Sequence, residues 1–249
     1  MEKLKYFYRP EEDGFIFKKF GKEHFLVFLF LICIALFIFI FKDNLKKNKE
    51  KQKVLKTIFL FLLVFQQINF IYFFVFVKKT GVYESLPLYT CRFAIYTSIL
   101  AILTDEDKFK GISVYLGIVG SFIAFLSPDL DKYSFPHVMF FNYFLTHFLI
   151  YTISLYYILI EEYTFSKKGL KSTLYILNLY LIFTLIIDKI LNTNYSYLRE
   201  SPVLTNKFNT IPKTIYTLFV FLIYNLSIIL CHDFFKKIKI KENKWKKKI

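Results

Sequence analysis

The sequence predicts an all-α protein, a polytopic transmembrane helix bundle of about seven spans in a single domain. Three observations predict this class: 55% of the 249 residues are hydrophobic, they fall into blocks of 16 to 26 residues, and lysine-rich stretches separate the blocks. A block of about 18 or more apolar residues is long enough to cross a bilayer as a helix. This composition excludes a disordered chain, and three cysteines are too few for a disulfide scaffold of this length.

The predicted spans follow one another with short connections along the whole chain. Because the fourth span is short and contains Gly117 and Gly120, we expect a neighbouring helix to approach it closely. The first block lacks a small-residue cleavage site, so no signal peptide is expected. The spans cover residues 25–41, 54–77, 86–103, 112–127, 135–160, 174–191 and 211–231, and a basic tail covers residues 232–249.

The positions of lysine and arginine predict the orientation of the chain in a cell membrane. Connections after the first, third and fifth spans, together with the C-terminal tail, contain 19 basic residues, whereas the other three connections contain five. Positively charged connections stay in the cytoplasm, so we expect a cytoplasmic C-terminus and an N-terminus outside. The N-terminal tail opposes this assignment with six basic residues, which five acidic residues offset.

The net charge of +15 is explained by this distribution, because the basic residues lie beside membrane spans. We therefore expect membrane lipids as partners and no nucleic acid, and the sequence leaves the oligomeric state open. Polar side chains inside spans are rare in such proteins, and each is a candidate for function. For Gln66, Gln67, Asn69, Asn178 and Asn225 we expect hydrogen bonds between helices.

Arg92 and Asp188 are the two charged residues well inside the predicted spans. Arg92 lies about 9 Å from the outer start of the third span, and Asp188 about 5 Å from the outer end of the sixth. At these similar depths we expect the two side chains to pair. The pair is interpreted either as a fixed ion pair that stabilises the bundle or as part of a clamp for a phosphate or carboxylate.

His147 is the most informative of the four histidines, because it is deep in the fifth span with Tyr143 and Tyr151 on its face. It is either a buried neutral histidine hydrogen-bonded to tyrosines or a general base or acid. His137 precedes it by ten residues, too far along a helix for both to bind one ion, so no metal site is predicted. His24 opens the first span and is a candidate substrate-binding residue.

Cys91 is the candidate nucleophile, because a neighbouring cation, here Arg92, favours the thiolate. The alternative is an inert cysteine that packs between helices. Cys91 lies about 8 Å below the outer surface and His147 about 18 Å below the start of its span. The two residues therefore meet only if the fifth span tilts or begins above the hydrocarbon edge.

Five stretches, in order over roughly residues 20 to 200, carry a family resemblance. They are Phe20-Gly21-Lys22-Glu23-His24, Leu86-Pro87-Leu88-Tyr89-Thr90-Cys91, Ser127-Pro128-Asp129-Leu130, Phe135-Pro136-His137 with Phe140-Phe141 and Thr146-His147, and Asn194-Tyr195-Ser196-Tyr197-Leu198. Together they resemble the YwaF-like integral membrane proteins of bacteria. That family is distantly similar to the animal transmembrane ether-phospholipid acyltransferase and to membrane fatty-acid-ester hydrolases.

The resemblance implies acyl transfer through a cysteine nucleophile and a histidine. The catalytic histidine of the relatives falls on His147, while their Cys-His pair falls on Leu88 and Tyr89, where neither residue type is retained. Cys91 lies three residues after Leu88, on the same helix face. The chain is therefore interpreted as a membrane acyltransferase or ester hydrolase, and no cofactor is expected. The candidate substrate-binding residues are Arg92, Tyr89, His24 and Asp188. The alternative is a non-enzymatic transporter, lipid-binding or accessory membrane protein.

Overall fold

The computed structural model describes residues 2–203, 205–208 and 210–246, with side chains described to residue 240. Its regular elements over these ranges are all helical. They are α1 (Glu2–Phe7), α2 (Lys22–Lys47), α3 (Lys49–Tyr72) with a π-helical continuation (Phe73–Val77), α4 (Thr90–Thr104), α5 (Asp107–Leu126), α6 (Val138–Leu159), α7 (Lys167–Leu191), α8 (Thr205–Phe208), α9 (Lys213–Lys246), and 3-10 turns at Tyr83–Ser85 and Tyr195–Tyr197.

Six of the described helices are long and apolar enough to cross a membrane, namely α2, α3 with its continuation, α5, α6, α7 and α9. The fourth helix, α4, is apolar but has only 15 residues, or about 22 Å at the rise of an α-helix. The predicted class, an all-helical polytopic bundle of about seven spans, is therefore confirmed.

The connections divide between two ends of the bundle. The N-terminal tail lies with the connections after α3 and α5, because Lys78 pairs with Glu12 and Arg9 donates to the Ser134 carbonyl. We call this end, with residues 2–21, 78–89, 127–137 and 192–203, the arginine end, since Arg9 and Arg199 lie there and Arg92 lies in the adjoining first turn of α4. The opposite lysine end contains Asn48, residues 105–106 and 160–166, and the last turns of α9.

Burial distinguishes central from peripheral helices. In the most apolar window of α6, 61% of the residues are buried, against 50% for α5 and 11% for α2. The centre of the bundle is thus the α5 and α6 pair, and α2 presents large apolar side chains such as Phe30, Phe37 and Ile40 on its outside. Exposed apolar side chains are unfavourable in water but suit a helix that faces lipid tails.

The glycines of α5 differ from each other in their surroundings. A Cβ added at Gly117 would lie 2.6 Å from the Ile150 carbonyl oxygen and would collide with the Ser154 hydroxyl, so the predicted close approach of another helix is confirmed there. At Gly120 the prediction is wrong, because no atom of a neighbouring element among the described residues lies within 4 Å of an added Cβ. Gly117 faces α6, whereas Gly120, three residues later, faces open space.

Most polar side chains of the spans make the expected hydrogen bonds between elements, whereas Gln67 donates to Gln66 on its own helix. Gln66 on α3 donates to Asn142 and Thr146 on α6. Asn178 on α7 and Asn225 on α9 donate to each other, with N to O distances of 2.8 and 3.0 Å. Tyr8 donates to Asn69 at 2.6 Å. These bonds satisfy polar groups for which the bilayer offers no water.

Two helix starts differ from the predicted ones and change the position of candidate residues. The third span begins at Thr90 instead of residue 86, because Pro87 disfavours helix for the residue before it and Tyr83–Ser85 form a separate turn. Arg92 therefore lies in the first turn of α4. The fifth span begins at Val138, after His137 accepts a hydrogen bond from the Met139 amide.

Candidate functional site

A cluster of polar and ionisable side chains lies at the arginine end, between the start of α4, the middle of α6 and two connections. Hydrogen bonds and electrostatic interactions connect its members. We call it the polar cluster; it consists of Tyr89, Cys91, Arg92, Asp129, Asp131, Tyr143, His147 and Tyr197.

Cys91 is the second residue of α4 and is a free, partly buried cysteine. Burial of the thiol disfavours its charged form, whereas Arg92 and the unpartnered amide groups of the first helical turn act in the opposite direction. The thiol lies within electrostatic range of Tyr89 and Tyr197. Burial, followed by the nearby Cys91, raises the pKa of Tyr89 above its ordinary value, so this phenol stays protonated near neutral pH.

Arg92 is 8% exposed and has an incomplete set of partners. Its guanidinium carbon lies 3.3 Å from the centre of the Phe70 ring on α3, a cation–π contact. The buried Nη1 atom has no hydrogen-bond partner among the described residues. Asp131 and His147 lie within electrostatic range of this guanidinium. A buried donor without a partner is unfavourable unless a ligand or water accepts from it.

The expected pairing of Arg92 with Asp188 is wrong. The next residue of α4, Phe93, stacks on Tyr180 of α7 with ring centres 4.1 Å apart. Successive residues of a helix point about 100° apart, and Arg92 therefore faces α3 while α7 lies behind it. Asp188 instead accepts from the Thr193 hydroxyl at 2.8 Å and the Tyr195 amide at 2.7 Å.

Asp188 thus organises the end of α7. Its Oδ1 atom accepts both hydrogen bonds, and the buried Oδ2 atom has no partner among the described residues. Arg199 donates from Nη1 to the backbone carbonyls of Asp188 and Thr193 at 2.9 and 2.8 Å. These contacts connect the last turn of α7 to the connection that follows it.

The hydrogen bonds of His147 define its tautomer. Nδ1 lies 2.7 Å from the Tyr143 carbonyl oxygen. A carbonyl oxygen accepts only, so Nδ1 carries the proton and Nε2 is the basic nitrogen. Among the described residues no hydrogen bond reaches Nε2, which leaves its lone pair available. The ring is 5% exposed and lies 6.0 Å from that of Phe125.

Two other histidines use both ring nitrogens. His24 Nδ1 accepts from the Phe20 amide at 2.7 Å, and Nε2 donates to the Phe125 carbonyl at 2.5 Å, which connects the start of α2 to the end of α5. His137 accepts from the Met139 amide and donates to the Arg9 carbonyl at 2.9 Å. Burial lowers the pKa of His137 to about 4. At the lysine end, His232 Nδ1 is 2.7 Å from the Tyr115 hydroxyl.

The positions that match the relatives' Cys-His pair lie in a packed connection. Leu88 is buried, and its carbonyl accepts from the Ser196 hydroxyl at 2.7 Å. Tyr89 makes edge-to-face contacts with the Tyr195 and Tyr197 rings at 5.6 and 5.8 Å. Leu88 is therefore a core residue, whereas Tyr89 belongs to the wall of the polar cluster.

Cys91 and His147 belong to one cluster but do not contact each other directly. No hydrogen bond joins the Cys91 thiol to the His147 ring in the described part of the chain. Tyr143 connects their surroundings, since its carbonyl accepts from His147 and its ring lies within electrostatic range of Cys91. General-base catalysis by this pair would require a substrate group or a water between the two side chains.

Three members of the cluster come from connections and were not predicted as site residues. The Tyr197 hydroxyl donates to Asp129 at 2.6 Å. Desolvation raises the pKa of Asp131 to about 6, although Lys78 and Arg92 act in the opposite direction. Asp129 and Tyr197 lie within two of the stretches that carry the family resemblance, which is the signal that points to them in the sequence.

The fold and the cluster define a polytopic α-helical membrane protein with a partly buried ionisable site at one end. A family model described as "TMEM164 family" matches residues 19–234, most of the chain. The chain belongs to the TMEM164 family, a family of transmembrane proteins. The finer resemblance to YwaF-like proteins is not confirmed by this match. No curated protein and no solved structure matches the chain.

Proposed function

We propose that this protein is a membrane enzyme that transfers or hydrolyses a lipid acyl ester, with Cys91 as nucleophile and His147 as general base. The hydrogen bond from His147 Nδ1 to the Tyr143 carbonyl carries the proposal. It leaves Nε2 as a basic nitrogen in a cluster that also contains a free thiol. The resemblance of the sequence to ether-phospholipid acyltransferases supports the same reaction class.

In the proposed reaction, the Cys91 thiol passes its proton to His147 Nε2, through a water where the two are apart. The thiolate attacks the ester carbonyl carbon, a C–S bond forms, and the C–O bond to the alcohol breaks. The leaving alkoxide takes the proton from His147. Water or a second lipid alcohol then attacks the thioester carbonyl while His147 takes its proton, a C–O bond forms and the C–S bond breaks. The Cys91 thiolate recovers the proton from His147, so the protein returns to its starting state.

Arg92 is the proposed substrate-binding cation. Its unpartnered Nη1 donates to the ester carbonyl oxygen or to a lipid phosphate, and a buried guanidinium is an effective donor to either group. Tyr89 is assigned to the wall that contacts the substrate. We assign His24 and Asp188 to holding helix ends, because both ring nitrogens of His24 and one oxygen of Asp188 already have backbone partners.

The test is to trap the acyl-enzyme. Purified protein in nanodiscs is incubated with phospholipid that carries an alkyne-labelled acyl chain, and intact mass and peptide mass spectrometry locate the adduct. We expect a hydroxylamine-sensitive adduct on Cys91, and its formation slows at least about 100-fold in His147→Gln. Cys33→Ala and Cys231→Ala are matched controls, since they remove the other two cysteines and are expected to label normally.

Folding of each variant is checked by size-exclusion chromatography. A monodisperse wild-type protein without adduct, or one that labels equally well after Cys91→Ala, overturns the proposal. The absence of a direct Cys91–His147 hydrogen bond, together with Leu88 at the relatives' cysteine position, favours a second candidate, a lipid-binding protein without covalent chemistry. Arg92-dependent retention of phospholipid without any adduct is the outcome expected for that candidate.

A further inference from the structure

The lysine end contains a large recess that is separate from the polar cluster. Its volume is about 760 Å³, and it is formed by the ends of α2, α4 and α6 and the starts of α3 and α5. We call it the lysine recess. The basic residues that line it are Lys46, Lys49, Lys53, Lys56 and Lys110. Three carboxylates, those of Asp105, Glu161 and Glu162, also line it, so positive charge is in excess.

Ion pairs engage three of the five lysines. Lys46 lies 2.7 Å from Glu162, and Lys110 lies 2.9 Å from both Asp105 and Glu161. Lys56 pairs with the same two carboxylates, Asp105 and Glu161. All three carboxylates of the recess therefore already have lysine partners.

Lys49 and Lys53 differ from the other three lysines in their partners. Both side chains are exposed, and in the described part of the chain neither ammonium lies within 4.0 Å of a carboxylate. The Lys49 ammonium donates to Gln52 at 3.3 Å, a neutral partner. The recess thus presents two positive charges to a ligand at its opening.

The walls below these charges are apolar. Leu60, Ile102 and Leu103 line the lysine recess, and Leu103 is 63% exposed. A second recess of about 350 Å³, between α2, α3 and α6, is lined almost entirely by apolar side chains such as Phe37 and Leu55. The two recesses share Ile160 as a lining residue. The lysines at the helix ends thus lie beside an apolar surface that continues along the membrane-spanning parts of the helices.

We propose that the lysine recess binds an anionic phospholipid, with the phosphate on Lys49 and Lys53 and an acyl chain along the apolar walls. Lysines beside membrane spans attract anionic headgroups, and their long side chains reach the headgroup level. A free phosphate meets the same two charges but leaves the apolar walls uncovered. This assignment is independent of the reaction at the arginine end, about one helix length away.

The test compares thermal unfolding of the full chain in a neutral detergent with added phosphatidylglycerol, phosphatidylcholine or inorganic phosphate. Native mass spectrometry gives the apparent Kd for each lipid. We expect phosphatidylglycerol to bind and stabilise the protein. We expect Lys49→Gln/Lys53→Gln to weaken the apparent Kd about 25-fold, from a factor of about five for each lysine. Lys167→Gln/Lys168→Gln removes the same charge from exposed positions outside the recess and is expected to bind as the wild type does.

Three outcomes overturn the proposal. The first is equal binding of phosphatidylglycerol to the wild type and to Lys49→Gln/Lys53→Gln. The second is equal stabilisation by inorganic phosphate, which identifies a site for a soluble anion. The third is equal binding of phosphatidylcholine, which identifies a lipid contact without charge selection.

Discussion

The two ends of the bundle hold their connections by different chemistry, although both contain many charged residues. At the arginine end, Arg9 donates to the Ser134 carbonyl at 2.8 Å and to Asp13 at 2.6 Å, and Arg199 donates to two backbone carbonyls at the end of α7. At the lysine end, Lys56 and Lys110 share two carboxylates, and the Asp105 side chain is 67% exposed.

The difference follows from the shapes of the cations. A planar guanidinium presents several donors in a fixed geometry and can hold two backbone carbonyls at once, whereas an ammonium is a hydrated point charge on a flexible chain. Exposed ammonium–carboxylate pairs contribute little and are screened by salt. We therefore expect the arginine end to keep the polar cluster in one geometry and the lysine end to adapt to a ligand.

Acid is expected to produce the largest effect, and to act on the arginine end. Burial lowers the pKa of His137 to about 4, so the folded protein holds this histidine neutral. The contribution of His137 to stability is complete above its unfolded pKa of about 6.5 and is lost as pH falls toward about 4, by up to about 3 kcal/mol. The measurement is the free energy of unfolding in mixed micelles from pH 7.5 to pH 4.

Two variants isolate this effect. His137→Asn keeps a side chain that caps a helix start and is expected to flatten the dependence between pH 6.5 and pH 4. The raised pKa of Asp131, about 6, acts with the opposite sign, because its neutral form favours the folded state and stability falls as pH rises from about 4 to about 6. Solvent reduces this contribution, since the Asp131 side chain is exposed. The two proteins are therefore compared in an Asp131→Asn background. If His137→Asn leaves the slope of unfolding free energy against pH unchanged, His137 is not the cause of the acid sensitivity.

Arg199→Lys tests the geometric part of the comparison and keeps the charge. Nη1 of Arg199 donates to the Asp188 and Thr193 carbonyls, and Nη2 donates to the Asn192 side chain. A lysine has one nitrogen and cannot reach all three acceptors, so we expect a loss of about 2 kcal/mol, the size of a hydrogen bond to a charged group. Lys213→Gln removes an exposed pair with Glu200 at the same end and is expected to change stability by less than about 0.5 kcal/mol. Equal effects of the two changes would show that charge alone matters there.

The sequence predicts the spans well because each apolar block carries its own membrane signal, and it predicts that Asn178 and Asn225 need partners because lipid offers none. It predicts that Arg92 and Asp188 lie near the same end of the bundle, but neither the depth of Arg92 in its helix nor the direction in which each side chain points. That direction depends on where α4 begins and on the stacking of Phe93 against Tyr180, both of which are tertiary features. Asp131 belongs to a connection, where no periodicity predicts position.

Lys56→Gln is expected to give the smallest effect and tests the lysine end. Lys56 shares Asp105 and Glu161 with Lys110, so both carboxylates keep a partner when Lys56 loses its charge. Burial would raise the pKa of Asp105, but hydrogen bonds from Lys110 and Lys56 lower it, so this pairing is intact above about pH 4. We expect a loss of about 1 kcal/mol at low salt.

Salt distinguishes this contribution from packing of the Lys56 side chain. The Debye length falls from about 10 Å at 0.1 M to about 3 Å at 1 M salt, so the difference between Lys56→Gln and the wild type is expected to shrink by at least about half in 1 M NaCl. Lys51→Gln, whose ammonium contacts the neutral Asn44, is the control. The salt dependence of Arg199→Lys is expected to be smaller, because its loss is one of hydrogen-bond geometry. A salt-independent loss in Lys56→Gln would mean that the two ends are held in the same way.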